Sequence, residues 1–229
     1  MHTIDCVGKT IREINLAIRG LGSAGEREIL LTNPAARHNL AVAVLQPFRI
    51  VIDGPVGYYC AGMIDGARVE VHGSAGWGLA ECMLSGTVVV DGHAGNGAAA
   101  SIRGGTVVVH GDAAARAGIA MKGGLLLIGG AAGYMTGFMM QRGTIIICGD
   151  GGPALADSMY EGIVYVGGEI VELGNDTLVS DATADELAHI RQALDRYGVK
   201  GPETFRKVVS ARKLWNYDKK DFEAWKAAF

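Results

Sequence analysis

Residues 86–111 read GTVVVDGHAGNGAAASIRGGTVVVHG, in which a strand-like run of valines returns after 19 residues. The same spacing continues in both directions along the chain, and each run is closed by a glycine. Seven runs follow one another at this interval: 49–53, 68–72, 87–91, 106–110, 125–129, 144–148 and 163–167. A fixed interval of this length is typical of repeat architectures, in which each unit stacks on its neighbour.

Aligned at this interval, the residues form columns that indicate which side of each strand faces inward. The columns that begin at Ile50 and Ile52 hold only valine, isoleucine or leucine. Because side chains two residues apart point to the same face of a strand, these columns predict one buried face. A further column is also large and apolar, and we expect it in the core: Ile64, Met83, Ile102, Met121, Met140 and Met159. A column of alanine and glycine, from Ala61 to Ala156, predicts that the wall lies close to the axis there.

The columns predict a mainly β protein, a right-handed parallel β-helix of about seven 19-residue coils. We expect a short α/β N-terminal cover at 1–47, the β-helix at 48–168, and an α-helical C-terminal extension with a docking arm at 169–229. Within the cover, the pattern predicts a helix over 10–21, a strand over 28–31 and a helix over 33–44. In the extension, Asp181 or Thr183 is expected to cap a helix that reaches Tyr197 and ends at Gly198.

Glycine is about twice as frequent as the usual ~7%. The chain has 35 glycines, of which 28 lie between Phe48 and Gly168. We expect these glycines to form corners, where positive φ or close approach between coils requires them. The alternative is a phosphate-binding loop in GSAGWG (73–78) or GHAGNG (92–97). Such a loop needs a helix directly after it, whereas this motif recurs in successive coils without one, so corner geometry is favoured.

The outward-facing column of the strands is apolar apart from one glutamate: Val51, Glu70, Val89, Val108, Leu127, Ile146 and Tyr165. A face of this composition predicts a cover, supplied by the chain's own termini, by a partner, or by both. The tail beyond residue 205 mixes basic and aromatic residues. It is interpreted either as a docking arm for a partner or as a segment whose Trp215 packs on this wall.

Composition and charge exclude several classes of protein. With 21 basic and 24 acidic residues the net charge is −3, which argues against a general nucleic-acid binder. The 45 charged residues are spread along the chain, and the first residues lack a secretory signal, so we expect a cytoplasmic chain with no membrane segment. The four cysteines, Cys6, Cys60, Cys82 and Cys148, show no metal-binding or disulfide spacing and are expected to be reduced thiols.

Catalytic motifs give little to build on: the sequence has no zinc-binding helix, nucleophile elbow or Walker loop. Asp53, His72, Asp91 and His110 share one column, so they would lie on consecutive coils. Like residues are then two coils apart, roughly 10 Å, which is too far for one metal ion. We therefore expect an ion-pair ladder, and no catalytic, cofactor-binding or metal-binding residue in this chain.

The coils resemble the C-terminal β-helix, or GXGXG domain, of the large subunit of glutamate synthase. This resemblance rests on GSAGWG (73–78) and on the GGTVVV strand openings. Three further segments are similar to the stand-alone glutamate-synthase-like subunit of N-methylglutamate synthase: RHNLAV (37–42), GYYCAG (57–62) and SARKLWN (210–216). The resemblance covers nearly the whole chain. The coils also resemble the β-helical subunit of formylmethanofuran dehydrogenase.

The resemblance implies a hetero-oligomer in which this chain is a non-catalytic scaffold. One partner would be a glutamine-amidotransferase-like subunit, and another a synthase subunit that carries FMN and an iron–sulfur cluster. The complex would convert glutamate and methylamine into N-methylglutamate and ammonia. The partner-interface residues expected here are Arg37, His38, Asn39, Arg212, Lys213 and Trp215. The alternatives are the β-helical subunit of a formylmethanofuran dehydrogenase or formyltransferase/hydrolase-type complex, and an independent β-helix enzyme or carbohydrate binder.

Overall fold

The computed structural model describes residues 2–212, and within that range it contains strands and two helices. The helices are α1 (Ile11–Ser23) and α2 (Ala184–Tyr197). The strands are β1 (His2–Asp5), β2 (Glu28–Thr32), β3 (Arg49–Asp53), β4 (Arg68–Val71), β5 (Thr87–Val90), β6 (Thr106–Val109), β7 (Lys122–Ile128), β8 (Arg142–Ile147), β9 (Ile163–Val166), β10 (Thr177–Asp181) and β11 (Arg206–Ser210).

The strands form one sheet in the order β1-β2-β3-β4-β5-β6-β7-β8-β9-β11-β10. Neighbours from β1 to β9 are parallel, whereas β11 is antiparallel to both β9 and β10. From β3 to β9 the register advances by one 19-residue coil at each step, as where Val88 lies opposite Val107. A second line of parallel bridges runs from Val56 to Ile170 through the corresponding position of each coil. The molecule is therefore a mainly β, parallel β-solenoid of about seven turns, as the repeat predicted.

The core follows the columns found in the sequence. Every member of the two inward strand columns from Ile50 and Ile52 is fully buried, and so is the column that runs from Ile64 to Met159. The small-residue column is buried as well, and limited space explains its composition: a Cβ at Gly118 would lie 2.5 Å from Cδ1 of Ile145. Its φ angles lie between +56° and +74°, a left-handed conformation that the chain also gives to larger residues such as Tyr59 and Met63. The members of this column are Ala61, Ala80, Ala99, Gly118, Gly137 and Ala156.

Glycines at the corners are required by close approach of successive coils. At Gly105, φ is +80°, and a Cβ there would lie 2.5 Å from the carbonyl oxygen of Gly86. At Gly149, a Cβ would lie 2.8 Å from the backbone of Gly130. Neither neighbour can move without breaking the coil-to-coil hydrogen bonds, so the glycine repeat serves the corner geometry.

The N-terminal segment confirms one expected helix and one expected strand but not the second helix. Thr10 caps α1 in a capping box with Glu13, and β2 extends the sheet below β3. The predicted helix over 33–44 is wrong, because Asn39, Ala41 and Ala43 have positive φ. The segment forms another rung of the solenoid, in which backbone bonds to the next coil replace the local bonds of a helix.

The C-terminal segment covers the outer wall. Thr183 caps α2 in a capping box, and Gly198 ends the helix in the left-handed conformation, as predicted. Ile190 and Leu194 of α2 pack with Phe205 on an outer cluster, in which Val108 and Leu127 are fully buried. Residues of this chain therefore supply the expected cover.

Candidate functional site

The four expected interface residues that the structure describes do not form one site. Arg37, His38 and Asn39 lie on the rung below the first 19-residue coil, whereas Arg212 follows β11 at the opposite end of the sheet. Lys213 and Trp215 lie outside the described residues. The interpretation in which Trp215 packs on the wall at Val89, Val108 and Leu127 therefore also falls outside the described residues. Among the described residues, α2 and Phe205 pack on this wall.

Around His38 the fold builds an exposed aromatic stack that spans three successive rungs. The imidazole of His38 stacks on Tyr58 with ring centroids 4.3 Å apart, and Tyr58 stacks on Trp77 at 5.2 Å. Both pairs are close to parallel, at 16°. Tyr59 meets Tyr58 edge-on at 6.5 Å. We call these four side chains the aromatic stack.

The repeat itself positions the aromatic stack. Tyr58 and Trp77 each follow a glycine, and each of these two rings occupies the space where a Cβ of the next coil's glycine would lie. At Gly76 that Cβ would be 2.7 Å from Tyr58, and at Gly95 it would be 2.6 Å from Trp77. The amide of Tyr58 donates to His38 Nδ1 at 2.8 Å, which fixes the imidazole as an acceptor at that nitrogen.

The aromatic stack has the composition of an interface centre. Tyr58 is 39% exposed, Tyr59 46% and Trp77 51%, so large apolar surfaces face solvent on a rigid backbone. Tyrosine and tryptophan are enriched at the centres of protein–protein interfaces. Sequence reasoning named His38 as an interface residue but missed the rings it lies beside, although Tyr58 and Trp77 share one 19-residue column. His38 lies 20 residues before Tyr58, so a strict 19-residue alignment does not include it.

A row of polar side chains, one per coil in most coils, runs along the corner beside the strands. Each member accepts the backbone N–H of the residue 19 positions later: Ser74 from His93, His93 from Asp112, Asp112 from Ala131 and Asp150 from Glu169. These side chains take up corner amides that the turn leaves without a backbone partner. His93 is thus part of the corner, with Nδ1 accepting at 2.9 Å.

The predicted column of aspartates and histidines contains one close pair. His72 Nδ1 lies 2.7 Å from Asp91 Oδ2, with both side chains about half exposed. Among residues 2–212, no group of three or more histidines, cysteines or acidic residues is placed to hold a metal ion. The column therefore gives one exposed imidazole–carboxylate contact, and a surface pair of this kind contributes little to stability.

Glu70, the one charged residue of the outer column, lies in an arginine cluster. Arg49 and Arg68 each contact its carboxylate at 2.5 Å, and Arg49 also pairs with Glu28. The hydrogen bond from Arg49 lowers the pKa of Glu70 against the opposing effect of its burial. α2 covers the later coils of this face, whereas paired charges occupy the early ones.

The buried cysteines have the properties of unreactive core residues. Burial raises the pKa of Cys60 to about 12 and that of Cys148 to about 11. Because the thiolate is the nucleophile and the metal ligand, these thiols are poor candidates for either role. Cys82 is exposed on a left-handed turn, and all four cysteines are free.

At the start of α2 a partly buried polar cluster ties the cover to the solenoid. Lys207 of β11 contacts Glu186 at 2.5 Å, and the backbone N–H of Thr183 donates to the same carboxylate at 2.9 Å. These two interactions, the lysine first, lower the pKa of Glu186 to about 2. Burial raises the pKa of the adjacent Tyr165, so its hydroxyl stays protonated. The cluster is suited to fastening α2 rather than to proton transfer.

Comparisons with known proteins agree with the fold and leave the family open. No protein-family model matches the chain. Protein GlxC of Rhizobium meliloti (strain 1021) is 40% identical over 70 residues, which are 30% of this chain and 31% of that protein. The match thus spans about a third of that relative's length.

Neither described helix is long and apolar enough to cross a bilayer.

A solved structure resembles this chain over most of its length. It is a chain of the formyltransferase/hydrolase complex (FhcABCD) from Methylorubrum extorquens, in complex with methylofuran. The TM-score is 0.69 at 22% sequence identity, and the alignment covers 90% of this chain and 89% of that one. At this identity the similarity supports the fold.

Proposed function

We propose that this chain is a non-catalytic scaffold subunit of a glutamate-synthase-like complex that forms N-methylglutamate. The observation that carries the proposal is the aromatic stack, an exposed group of interface-type side chains on a rigid solenoid. Its residues belong to the segments that resemble N-methylglutamate synthase: His38 in RHNLAV, and Tyr58 and Tyr59 in GYYCAG. Trp77 belongs to the GSAGWG segment shared with the wider group.

Rigidity makes the aromatic stack effective for docking. The rings are held by stacking and by the coil-to-coil backbone bonds, as where Tyr59 N–H donates to the carbonyl oxygen of Trp77 at 2.7 Å. A partner that binds the aromatic stack immobilises few free side chains, so it loses little conformational entropy. A tryptophan at the centre of such a surface contributes about 2 kcal/mol or more to binding.

In the proposed complex, chemistry belongs to the partner subunits. Methylamine replaces the amino group of glutamate, which leaves as ammonia, and FMN and an iron–sulfur cluster would be held by the synthase partner. The glutamine-amidotransferase-like subunit would be the third component. This chain would keep the other two in a fixed relative position, with the aromatic stack against one of them.

A formyltransferase/hydrolase-type complex is the second candidate. It is supported by the fold shared with a chain of the FhcABCD complex over 90% of this sequence. In that assembly, the scaffold role of this chain would be the same, but the partners would carry formyl-transfer chemistry and no flavin.

Co-expression with candidate synthase and amidotransferase subunits tests the proposal. We expect all three chains to co-purify, with flavin absorbance in the complex and N-methylglutamate formed from glutamate and methylamine. Trp77→Ala should weaken the complex about 30-fold, because roughly 2 kcal/mol of binding free energy is lost.

Tyr134→Ala is the matched control, since Tyr134 occupies the same column and is 46% exposed. It lies three coils beyond Trp77 and should leave assembly unchanged. A complex that assembles without flavin and transfers formyl groups would favour the second candidate. Flavin bound stoichiometrically to this chain alone would contradict the scaffold proposal.

A further inference from the structure

The sheet ends in a strand whose outer edge has no partner among residues 2–212. β10 is the last strand in the sheet order and pairs only with β11. The bonds that flank this pair are Ala182 N–H to Phe205 O at 2.9 Å and Ala211 N–H to Asp176 O at 2.8 Å. In an antiparallel pair, every second residue bonds the partner. The even-numbered residues of β10 therefore face β11, and Thr177, Val179 and Asp181 direct their N–H and C=O groups outward.

This edge is apolar as well as unpaired. Within β10, Leu178 is 54% exposed and Val179 37%. A sheet edge with exposed apolar side chains is the kind of surface to which another extended chain adds as a strand. Natural edges are commonly protected by lysine, proline or a bulge, and β10 contains no lysine or proline.

The charge around this end of the solenoid is strongly acidic. Between residues 143 and 190 the sequence has nine acidic residues and no lysine or arginine. Arg206 pairs with Asp181 at 3.2 Å, Lys207 pairs with Glu186, and Arg142 pairs with Glu161 at 3.8 Å. Over residues 142–212, 11 acidic residues stand against 7 basic ones, so an acidic surplus of four remains. Glu169 and Glu172 are exposed in the last coil.

We propose that the outer edge of β10 binds a basic, extended strand of a partner polypeptide by β-augmentation. The outward N–H and C=O groups supply the hydrogen bonds, Leu178 and Val179 supply apolar contact, and the acidic surroundings select lysine and arginine. A second copy of this chain would bring the same acidic surplus against itself, so charge disfavours it. The identification of the partner as a subunit of the same complex rests on the proposed function. The binding chemistry of the edge is independent of that function.

A peptide-binding experiment on the full-length chain tests the edge directly. The probe is a short blocked peptide of alternating lysine and valine with a fluorescent label, followed by anisotropy. Its control has the same sequence with alternate peptide nitrogens methylated, which keeps charge and apolar area but prevents strand pairing. We expect binding of the first peptide only. Amide exchange at Thr177, Val179 and Asp181 should be fast in the free chain and slow with peptide bound.

Val179→Pro removes one outward N–H without removing a bond to β11, because residue 179 bonds outward. We expect peptide affinity to fall about tenfold or more, with an unchanged melting temperature. Val179→Ala, the matched control, keeps the N–H and should bind within about threefold of the parent chain. If Val179→Pro lowers the melting temperature, the same comparison is made with the methylated peptide alone.

Several outcomes would overturn the proposal. Equal binding of the methylated peptide would show charge attraction without strand pairing. Slow exchange at the three outward amides in the free chain, made fast by truncation after Arg212, would show that the chain's own C-terminal segment covers the edge. A dimer that Val179→Pro converts to monomer would assign the edge to a second copy. Loss of the complex with Trp77→Ala concerns the aromatic stack, so the two proposals fail separately.

Discussion

The buried methionine column gives a sharp test of the coil register. Met121 is fully buried, and so are Ile102 and Met140, the column members on the adjacent coils. The surrounding core cluster consists of apolar residues and cysteines. We expect Met121→Asp to lower the free energy of unfolding by about 6 kcal/mol at neutral pH, from two contributions.

The first contribution is the loss of a buried apolar side chain, which costs about 2 kcal/mol in transfer free energy. The second is the cost of keeping the introduced carboxyl neutral, since the core offers it no cation. Protonating a carboxyl with an unfolded pKa of about 3.9 at pH of about 7 costs roughly 4 kcal/mol. Together they approach or exceed the whole stability of a domain worth about 5–15 kcal/mol.

The second contribution, the cost of keeping the introduced carboxyl neutral, increases with pH. Burial raises the folded-state pKa of the introduced carboxyl above its unfolded value, so the penalty is small below pH of about 4. It grows by about 1.4 kcal/mol for each pH unit above that. Met121→Asn carries no titrating group and is the matched control. Met121→Leu nearly conserves volume and should cost less than about 1.5 kcal/mol.

Urea unfolding, followed by circular dichroism between pH of about 4 and about 7, measures the difference between the Asp and Asn variants. We expect that difference to rise from near zero to roughly 4 kcal/mol. An Asp variant that does not fold at neutral pH should regain structure on acidification. Equal stability of the two variants at neutral pH would mean that the Met121 side chain reaches water. The coil register would then be wrong.

Two other predictions concern the corners and the cover. Gly105→Ala should lower the free energy of unfolding by at least about 2 kcal/mol, because its Cβ would meet the Gly86 carbonyl oxygen. Gly97 also has a positive φ, +71°, but open space surrounds it, so Gly97→Ala should cost about 1 kcal/mol. Equal melting temperatures for these two variants would contradict the close approach of coils. Glu186 has its pKa lowered to about 2, so it stabilises the fold above its unfolded value and loses that effect as pH falls from about 4.5 towards about 2. Glu186→Gln should therefore be less stable than the parent near neutral pH and should match it at the acid end of a urea titration; a constant gap would refute the ion pair with Lys207.

Much of the core could be predicted because the repeat places equivalent residues in equivalent positions. Val88 and Val107 are 19 residues apart in the sequence and opposite each other in the sheet, so one register determines all seven coils. The ends of α2 were also predictable, since Thr183 and Gly198 act on the backbone groups next to them. The caps of α2 act over a short range in the sequence, and the coil register is one strand pairing repeated in every coil.

The segment over 33–44 shows where local reasoning was wrong. Its proline and polar residues are typical of a helix start, but Asn39 and Ala43 adopt positive φ and donate their backbone N–H groups to the coil above. The offset between rungs differs here, because Ile29 lies opposite Ile50, 21 residues later. A search at a 19-residue interval therefore does not detect this rung, and it does not bring His38 beside Tyr58.

The sequence by itself determined the solenoid, its inward columns and the need for a cover, because a repeat with a constant interval has few ways to bury its apolar columns. Only the tertiary structure decided that α2 supplies the cover, that the aromatic stack forms, and that, within residues 2–212, the outer edge of β10 has no partner strand. The cover and the edge depend on how the non-repeating C-terminal segment meets distant coils, and His38 joins the aromatic stack from a rung outside the 19-residue interval; within the stack, the contact between Tyr58 and Trp77 does follow that interval. The other contacts draw their free energy from surfaces that exist only once the coils have stacked.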